Sequence, residues 1–296
     1  MAGSGQIRQL RRRIKSVKST QKITRAMEMI AASRIVKAQR RMRAALPYAE
    51  QITEVIKGLA MSTEVSDHPL LAPHESVNRV AVIVITSDRG LAGAYNTNVL
   101  KRADKVIEAE EAEGRDIALY CVGKKAMDYY AFRRRFPVQK WEGVSDTPSA
   151  EDARDIGEAF TRAYEEGDID RVWLVYTHFR SALTQVPNAM QLLPVDPAEF
   201  AGGSDVITPE FIFEPDPASI IDLLIPSYID AKVFAGLLES AASEHASRQR
   251  AMKSATDNAK DVIENVSRVM NAARQEQITT EISEIVGGAE ALSSDS

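Results

Sequence analysis

With 296 residues, 44% of them hydrophobic and 27% charged, the chain can bury a core of its own and reads as a soluble protein of one or two domains. Its most apolar run, Val80 to Ile85, falls far short of the roughly 20 residues a spanning helix needs, so no direct membrane span is expected. Cys121 is the only cysteine, which excludes an intrachain disulfide or a cysteine-based metal site and fits a reducing compartment. The net charge of −5 hides an asymmetry, because residues 1 to 43 hold thirteen Lys and Arg against one acid, Glu28.

From Gln6 to about Leu59 the pattern is helical, and residues 1–59 form the first expected segment. Pro47 should kink or end that helix at Leu46, since it lacks an N–H and its ring crowds the preceding turn. There is no apolar signal stretch, and the helical pattern starts by Ile7, leaving no room for a removable presequence, as in a bacterial protein. The basic arm suits nucleic acid, an acidic membrane surface or an acidic protein partner, and its plainest reading is a solvated helix face. No nucleic acid partner is expected, because no aromatic residue precedes Tyr48 to stack on bases.

The period changes over residues 77–213. Arg79 to Thr86 is a buried-strand run that ends in the turn-rich Ser87-Asp-Arg-Gly-Leu-Ala-Gly93, and a helix is expected from about Ala94 to Glu113. A strand at Asp116 to Val122, a helix at Gly123 to Arg135 carrying Arg133, Arg134 and Arg135, and a helix at Glu151 to Glu166 follow. Strands at Arg171 to Phe179 and Ala182 to Leu193 complete an open α/β sheet with flanking helices. Asp196 to Pro217, rich in Pro, Gly and acids, reads as a linker. The loop after the first strand is where a phosphate would bind, yet neither G-x-G-x-x-G nor G-x-x-x-x-G-K-[ST] occurs. Asp88 beside Arg89 is expected to serve turn chemistry and a local ion pair. The four histidines show no ligand spacing and no hydrolase motif is present, so neither a metal, a cofactor nor catalysis by this chain is expected.

Residues 218–296 form the last segment, with no proline from Ser227 to Val286 and room for a helix of roughly 90 Å. Ile7, Leu10, Ile14 and Val17 recur at coiled-coil steps, as do Ala259, Val262, Val266, Val269 and Ala273, so the two ends should pair as a long antiparallel two-helix coiled coil. Alanine-rich stretches let the helices approach closely but bury little per turn. If the seam continued, Ile278, Ile282, Ile285 and Val286 would give the tip more apolar surface than a lone helix can cover, and an apolar collar from other subunits is expected there, the plainer alternative being a frayed tail through Ala289 to Ser296.

Three stretches carry a family resemblance. Ile14-Lys-Ser-Val-Lys-Ser-Thr-Gln-Lys-Ile-Thr-Arg-Ala-Met-Glu-Met-Ile-Ala-Ala-Ser33, Thr86-Ser-Asp-Arg-Gly-Leu-Ala-Gly93 with Asn96, and Ala251-Met-Lys-Ser-Ala-Thr-Asp-Asn-Ala259 with Glu284-Ile-Val-Gly-Gly-Ala-Glu-Ala291 resemble the gamma subunit of F-type rotary ATP synthase. Ala92 stands where many relatives have cysteine, and Gln249-Arg250 replace a more usual Met and small residue. The resemblance implies a central rotor shaft without catalytic residues of its own. It couples rotation of a proton-driven membrane ring to conformational change in the catalytic beta subunits. The implied partners are a hexamer of alpha and beta subunits, an epsilon subunit and the membrane rotor ring, and the implied place is the cytoplasmic face of the cell membrane. The family's coupling and subunit-contact residues fall on Met27, Arg248, Arg274, Gln275, Thr279 and Glu281. Each also has a plain reading: Met27 as a seam residue, Arg274 with Gln275 as a solvated face. The rival reading is a free-standing coiled-coil adaptor or regulatory protein. An enzyme built on the α/β domain comes third.

Overall fold

The computed structural model describes residues 2–60, 70, 76–195 and 217–294. In chain order these form α1 (Ala2–Ala60), β1 (Arg79–Ile85), α2 (Tyr95–Ala112), β2 (Asp116–Val122), α3 (Lys124–Phe132), β3 (Gln139–Trp141), α4 (Ala150–Glu165), β4 (Arg171–Phe179), β5 (Gln185–Leu193) and α5 (Pro217–Ser294). The expected linker from Asp196 falls, up to residue 216, outside the described residues. Two compact units result, one of Met1–Ile30 with Gln249–Ser296 and one of Ala31–Arg248.

The larger unit is a five-stranded sheet of order β3-β2-β1-β4-β5. Its first four strands in space run parallel, and β5 is antiparallel to β4. Successive side chains of a strand point to opposite faces, and β1 shows the consequence. Val80, Val82 and Val84 pack with Val99, Ala103 and Ile107 of α2 and Ala126 and Tyr130 of α3. Ala81, Ile83 and Ile85 pack on the other face with Ile52 and Ile56 of α1, Ile156 and Phe160 of α4, and Ile229, Val233 and Leu237 of α5. A strand buried on both faces must read as a continuous apolar run, as Val80 to Ile85 does. Helix α4 begins at a capping box in which Ser149 Oγ accepts from the Asp152 amide at 3.1 Å and Asp152 Oδ2 accepts from the Ser149 amide at 2.7 Å.

Two features of this unit depart from or add to the sequence reading. Helix α1 does not end at Leu46 but runs through Pro47. Pro47 and Arg43 are both exposed, so the break falls on a solvated face, while Ile52 and Ile56 hold the following turns on the core. Strand β3 was not legible either, because three residues, two of them exposed, offer no hydrophobic period.

The smaller unit is an antiparallel pair of helical segments. On α1 the less exposed positions are Ile7, Leu10, Ile14, Val17, Gln21, Thr24 and Met27, at coiled-coil steps of three and four. On α5, Met252, Ala259 and Val266 are buried, with Val262, Met270 and Ala273 partly so. Val269, expected in the seam, is 50% exposed; a four-residue step from Val266 brings Met270 inward instead, as a helix of 3.6 residues per turn allows. The two helices are pinned at a hydrogen bond of 2.7 Å between the Thr24 and Thr256 hydroxyls. Each hydroxyl also reaches a carbonyl of its own helix, Thr256 that of Met252 at 2.8 Å and Thr24 that of Gln21 at 3.1 Å, so either can be the donor across the seam. From this register the start of α1 falls opposite roughly Ile278. From there on, Ile278, Ile282, Ile285 and Val286 are 45%, 56%, 71% and 52% exposed.

Candidate functional site

The carboxyl edge of a parallel sheet is where α/β proteins usually bind ligands, and here the chain fills that edge itself. At the end of β1, Thr86 Oγ1 accepts from the Ala126 amide at 2.9 Å and the Ser87 carbonyl accepts from the Lys125 amide at 3.1 Å. Asp88 Oδ1 accepts from the Lys124 amide at 3.1 Å. The amides that open α3, where an anion would sit, are thus already occupied by the chain's own oxygens. Gly123, just before α3, has φ +93°, and a Cβ there would lie 2.3 Å from the Thr86 carbonyl oxygen, so only glycine lets the two loops meet. Asp88 does not make the expected ion pair with Arg89. Its Oδ2 accepts from the Gly143 amide at 3.1 Å and from the Ser145 amide and hydroxyl at 3.3 and 3.0 Å, because the loop packs against the segment after β3. Asn96 closes the loop from α2, accepting from the Ser87 amide at 3.0 Å.

Helix α5 lies over this edge with a polar stripe, Ser240, Ser243, Glu244, His245 and Arg248, all buried. Ser240 Oγ accepts from the Thr177 amide at 3.2 Å, and Ser243 donates to the Thr177 carbonyl at 3.2 Å. Arg248 pairs with Glu244 at 2.6 Å and donates to the carbonyls of Arg89 and Gly90 at 3.3 and 3.2 Å. One buried guanidinium therefore holds the glycine loop and α5 together. His245 Nε2 lies 3.3 Å from the Asp146 carbonyl, and Asp146 also takes the Arg34 guanidinium of α1. Burial pushes the Glu244 carboxyl up to about 7, against the pull of Arg248 and with a further push from Asp146. Burial likewise lowers the pKa of His245, against the pull of Asp146. Glu244 Oε2 and His245 Nδ1 are buried with no hydrogen-bond partner among the described residues.

A second buried acid, Glu110 of α2, accepts from Trp173 Nε1 at 2.7 Å and pairs with Arg115 and, at 3.3 Å, with Arg171. Burial pushes its pKa up, but the hydrogen bonds of Arg115 and Trp173 and the charge of Arg171 outweigh it, and the carboxyl stays below its ordinary value.

The six residues singled out from sequence are dispersed. Met27 is half-buried on α1, Arg248 is 8% exposed in the network above, and Arg274, Gln275, Thr279 and Glu281 are exposed on α5. Thr279 Oγ1 donates to the Gln275 carbonyl at 3.0 Å, and Glu281 accepts from Gln277 Nε2 at 2.8 Å. In the register of the smaller unit Met27 lies opposite about residue 253, roughly 30 Å along the helix from Arg274. Sequence reasoning passed over Glu244, Asp146 and Ser145 and gave His245 no role, and the acidic run Glu108, Glu110, Glu111 and Glu113 reads as a solvated helix face, whereas Glu110 is buried. A signal for part of the set exists: polar residues at 240, 243, 244, 247 and 248 repeat at helical spacing on an otherwise apolar stretch, which marks a buried polar face.

This architecture is an α/β body whose flanking helices include the two chain-terminal ones, with a separate antiparallel pair formed by the ends of those same helices. A family model described as ATP synthase matches residues 6–292. The ATP synthase gamma chain of Parafrankia sp. is 51% identical over 299 residues, covering 98% of this chain and 99% of the relative. That of Kineococcus radiotolerans is 48% identical over 297 residues, covering 98% of each. Among solved structures, the fold is similar to a chain of the Tetrahymena thermophila mitochondrial ATP synthase central stalk and c-ring, with TM-score 0.60 and 25% identity over 79% of this chain and 99% of that one. It is also similar to a chain of the Euglena gracilis mitochondrial ATP synthase, with TM-score 0.68 and 19% identity over 98% and 95% of the two chains. The chain belongs to the ATP synthase gamma chain family. Among the described residues no helix is long and apolar enough to cross a membrane.

Proposed function

We propose that this chain is the central rotor shaft of an F-type ATP synthase and has no catalytic residues of its own. Its paired helices turn within a hexamer of alpha and beta subunits, and its α/β body sits with an epsilon subunit on the membrane rotor ring at the cytoplasmic face. Proton flow turns the ring, and the turning shaft presents different contacts to each beta subunit in turn, a coupling free energy between distant sites. The observation that carries this reading is the Arg248–Glu244 network, which ties the continuous helix α5 to the sheet in a chain that is half identical, end to end, to gamma chains. A shaft must be tied in this way if torque applied to the α/β body is to reach the helix.

The exposed Arg274 and Gln275 offer a fork and an amide to acidic or backbone groups of the surrounding subunits, and Thr279, Glu281 and Met27 join them as contact residues. Arg248 serves coupling from inside, through the loop it holds. The apolar tip from Ile278 to Val286 is covered by a collar from the hexamer. Gentle affinity isolation from native membranes, native mass measurement and an ATPase assay test the reading. One copy with three of each of two larger subunits is expected, with nucleotide bound only to those. Recovery as a free monomer or dimer would overturn it in favour of an adaptor.

A further inference from the structure

A cavity of about 420 Å³ opens in the larger unit among α1, α4 and α5. Its floor is apolar, with Met42, Phe234 and the nearly buried Leu238 among its lining, and Tyr48, 58% exposed, stands at its side. The size falls within the usual range for small-molecule sites, which combine an apolar body with a few placed polar groups. The polar groups here lean to one sign. Asp230 and Glu239 line the cavity against a single cation, Arg154.

Asp230 is the group that a ligand would serve. Its side chain is 30% exposed, and the Arg154 Nε that faces it stands 3.9 Å away on a side chain 65% exposed. That is too long for a hydrogen bond and worth little as an exposed ion pair. The carboxylate is nevertheless built into the wall: a Cβ at Gly157 of α4 would come within 2.4 Å of Asp230 Oδ1, so glycine at 157 is what admits the acid. Burial, with Glu158 nearby, raises the Asp230 pKa against the weaker pull of Arg154, as expected of an acid whose counter-charge is incomplete. Glu239 Oε2 is already taken by His178 Nδ1 at 2.5 Å and the Phe179 amide at 3.2 Å.

We propose that this cavity is a binding site for a small amphipathic cation, with an aromatic or aliphatic body on the Met42, Phe234 and Leu238 floor and an amine or amidine head on Asp230. Such a ligand sits between α1 and α5, apart from the polar network at the sheet edge. A neutral molecule of the same shape gains only the apolar floor. An anion meets two carboxylates.

Isothermal titration of the purified full-length chain with biphenyl-4-methylamine and, separately, the uncharged biphenyl-4-methanol tests this. Saturable one-to-one binding of the amine is expected, at least tenfold tighter than the alcohol. Asp230→Asn should weaken the amine tenfold or more and leave the alcohol unchanged, and Ala45→Phe, which fills the cavity from α1, should remove both. Equal affinity for the amine in Asp230→Asn and the unaltered chain, equal affinity for amine and alcohol, or binding undisturbed by Ala45→Phe would overturn the proposal, as would absence of saturable binding to the unaltered chain. Circular dichroism of each variant establishes that the fold is kept.

Discussion

Arg248 and Glu244 stand one helical turn apart on α5, 2.6 Å from guanidinium to carboxylate, and the same guanidinium reaches two carbonyls of the loop that ends β1. Removing the cation leaves the buried Glu244 carboxyl and the Gly90 carbonyl without this partner, while the Arg89 carbonyl keeps the Ser87 hydroxyl at 2.6 Å. Arg248→Ala should therefore cost about 3–5 kcal/mol in urea unfolding, and Arg248→Lys, which keeps the charge but not the fork, distinctly less. In the assembled complex, Arg248→Lys is expected to lower coupled synthesis more than it lowers assembly.

Glu244 and His245 are neighbours with opposite pH dependences. Glu244 has its pKa raised from 4.5 to about 7 in the folded chain, so the folded state holds its proton longer and this residue's contribution to stability falls as pH rises from about 4.5 to 7. His245 has its pKa lowered from 6.5, so the unfolded state takes up a proton first and stability is lost as pH falls below about 6.5. Urea titrations from pH 5 to 8 should show Glu244→Gln gaining on the unaltered chain as pH rises, by about 3 kcal/mol in all, and His245→Gln gaining as pH falls. Two flat difference curves would mean that neither group is held in its buried form.

Glu110 behaves in the ordinary acidic sense. Its pKa is held below 4.5, so its contribution is fully present above that pH and is lost as pH falls through the folded value. Glu110→Ala strands Arg171 and the Trp173 indole N–H, while Arg115 keeps its pair with Glu113. It should cost about 3 kcal/mol at pH 7, with the penalty shrinking in acid, as measured by denaturant midpoints.

Thr24 and Thr256 share one hydrogen bond across the seam. Each single valine replacement should cost about 1 kcal/mol, and the pair less than the sum, because the second removes a hydroxyl that has already lost its partner across the seam. Strict additivity in thermal melts would show that the bond does not pin the register.

Arg274 and Gln275 are exposed and make no hydrogen bond with their side chains among the described residues. Alanine at both should change the stability of the chain by less than about 0.5 kcal/mol. Coupled ATP synthesis in reconstituted vesicles is expected to fall well below the level of assembly. Equal losses in both would leave only a structural role.

The sequence by itself determined the local elements. Val80 to Ile85 has to be a strand buried on both faces, and Asp116–Val122 and Arg171–Phe179 match the observed strands because apolar runs between turn signals leave no other placement. The seam from Ile7 to Val17 was equally legible, since a three-and-four repeat acts over one or two turns. Tertiary structure decided what depends on distant partners. Pro47 stays inside α1 because Ile52 and Ile56 pack on the core. Val269 yields to Met270 because the partner helix sets the phase of the seam. Glu244, Arg248 and Asp88 meet only when α5 crosses the carboxyl edge of the sheet. A residue's burial, and with it the pKa of Glu244 or the cavity beside Asp230, is a property of what packs around it, and no local pattern carries that information.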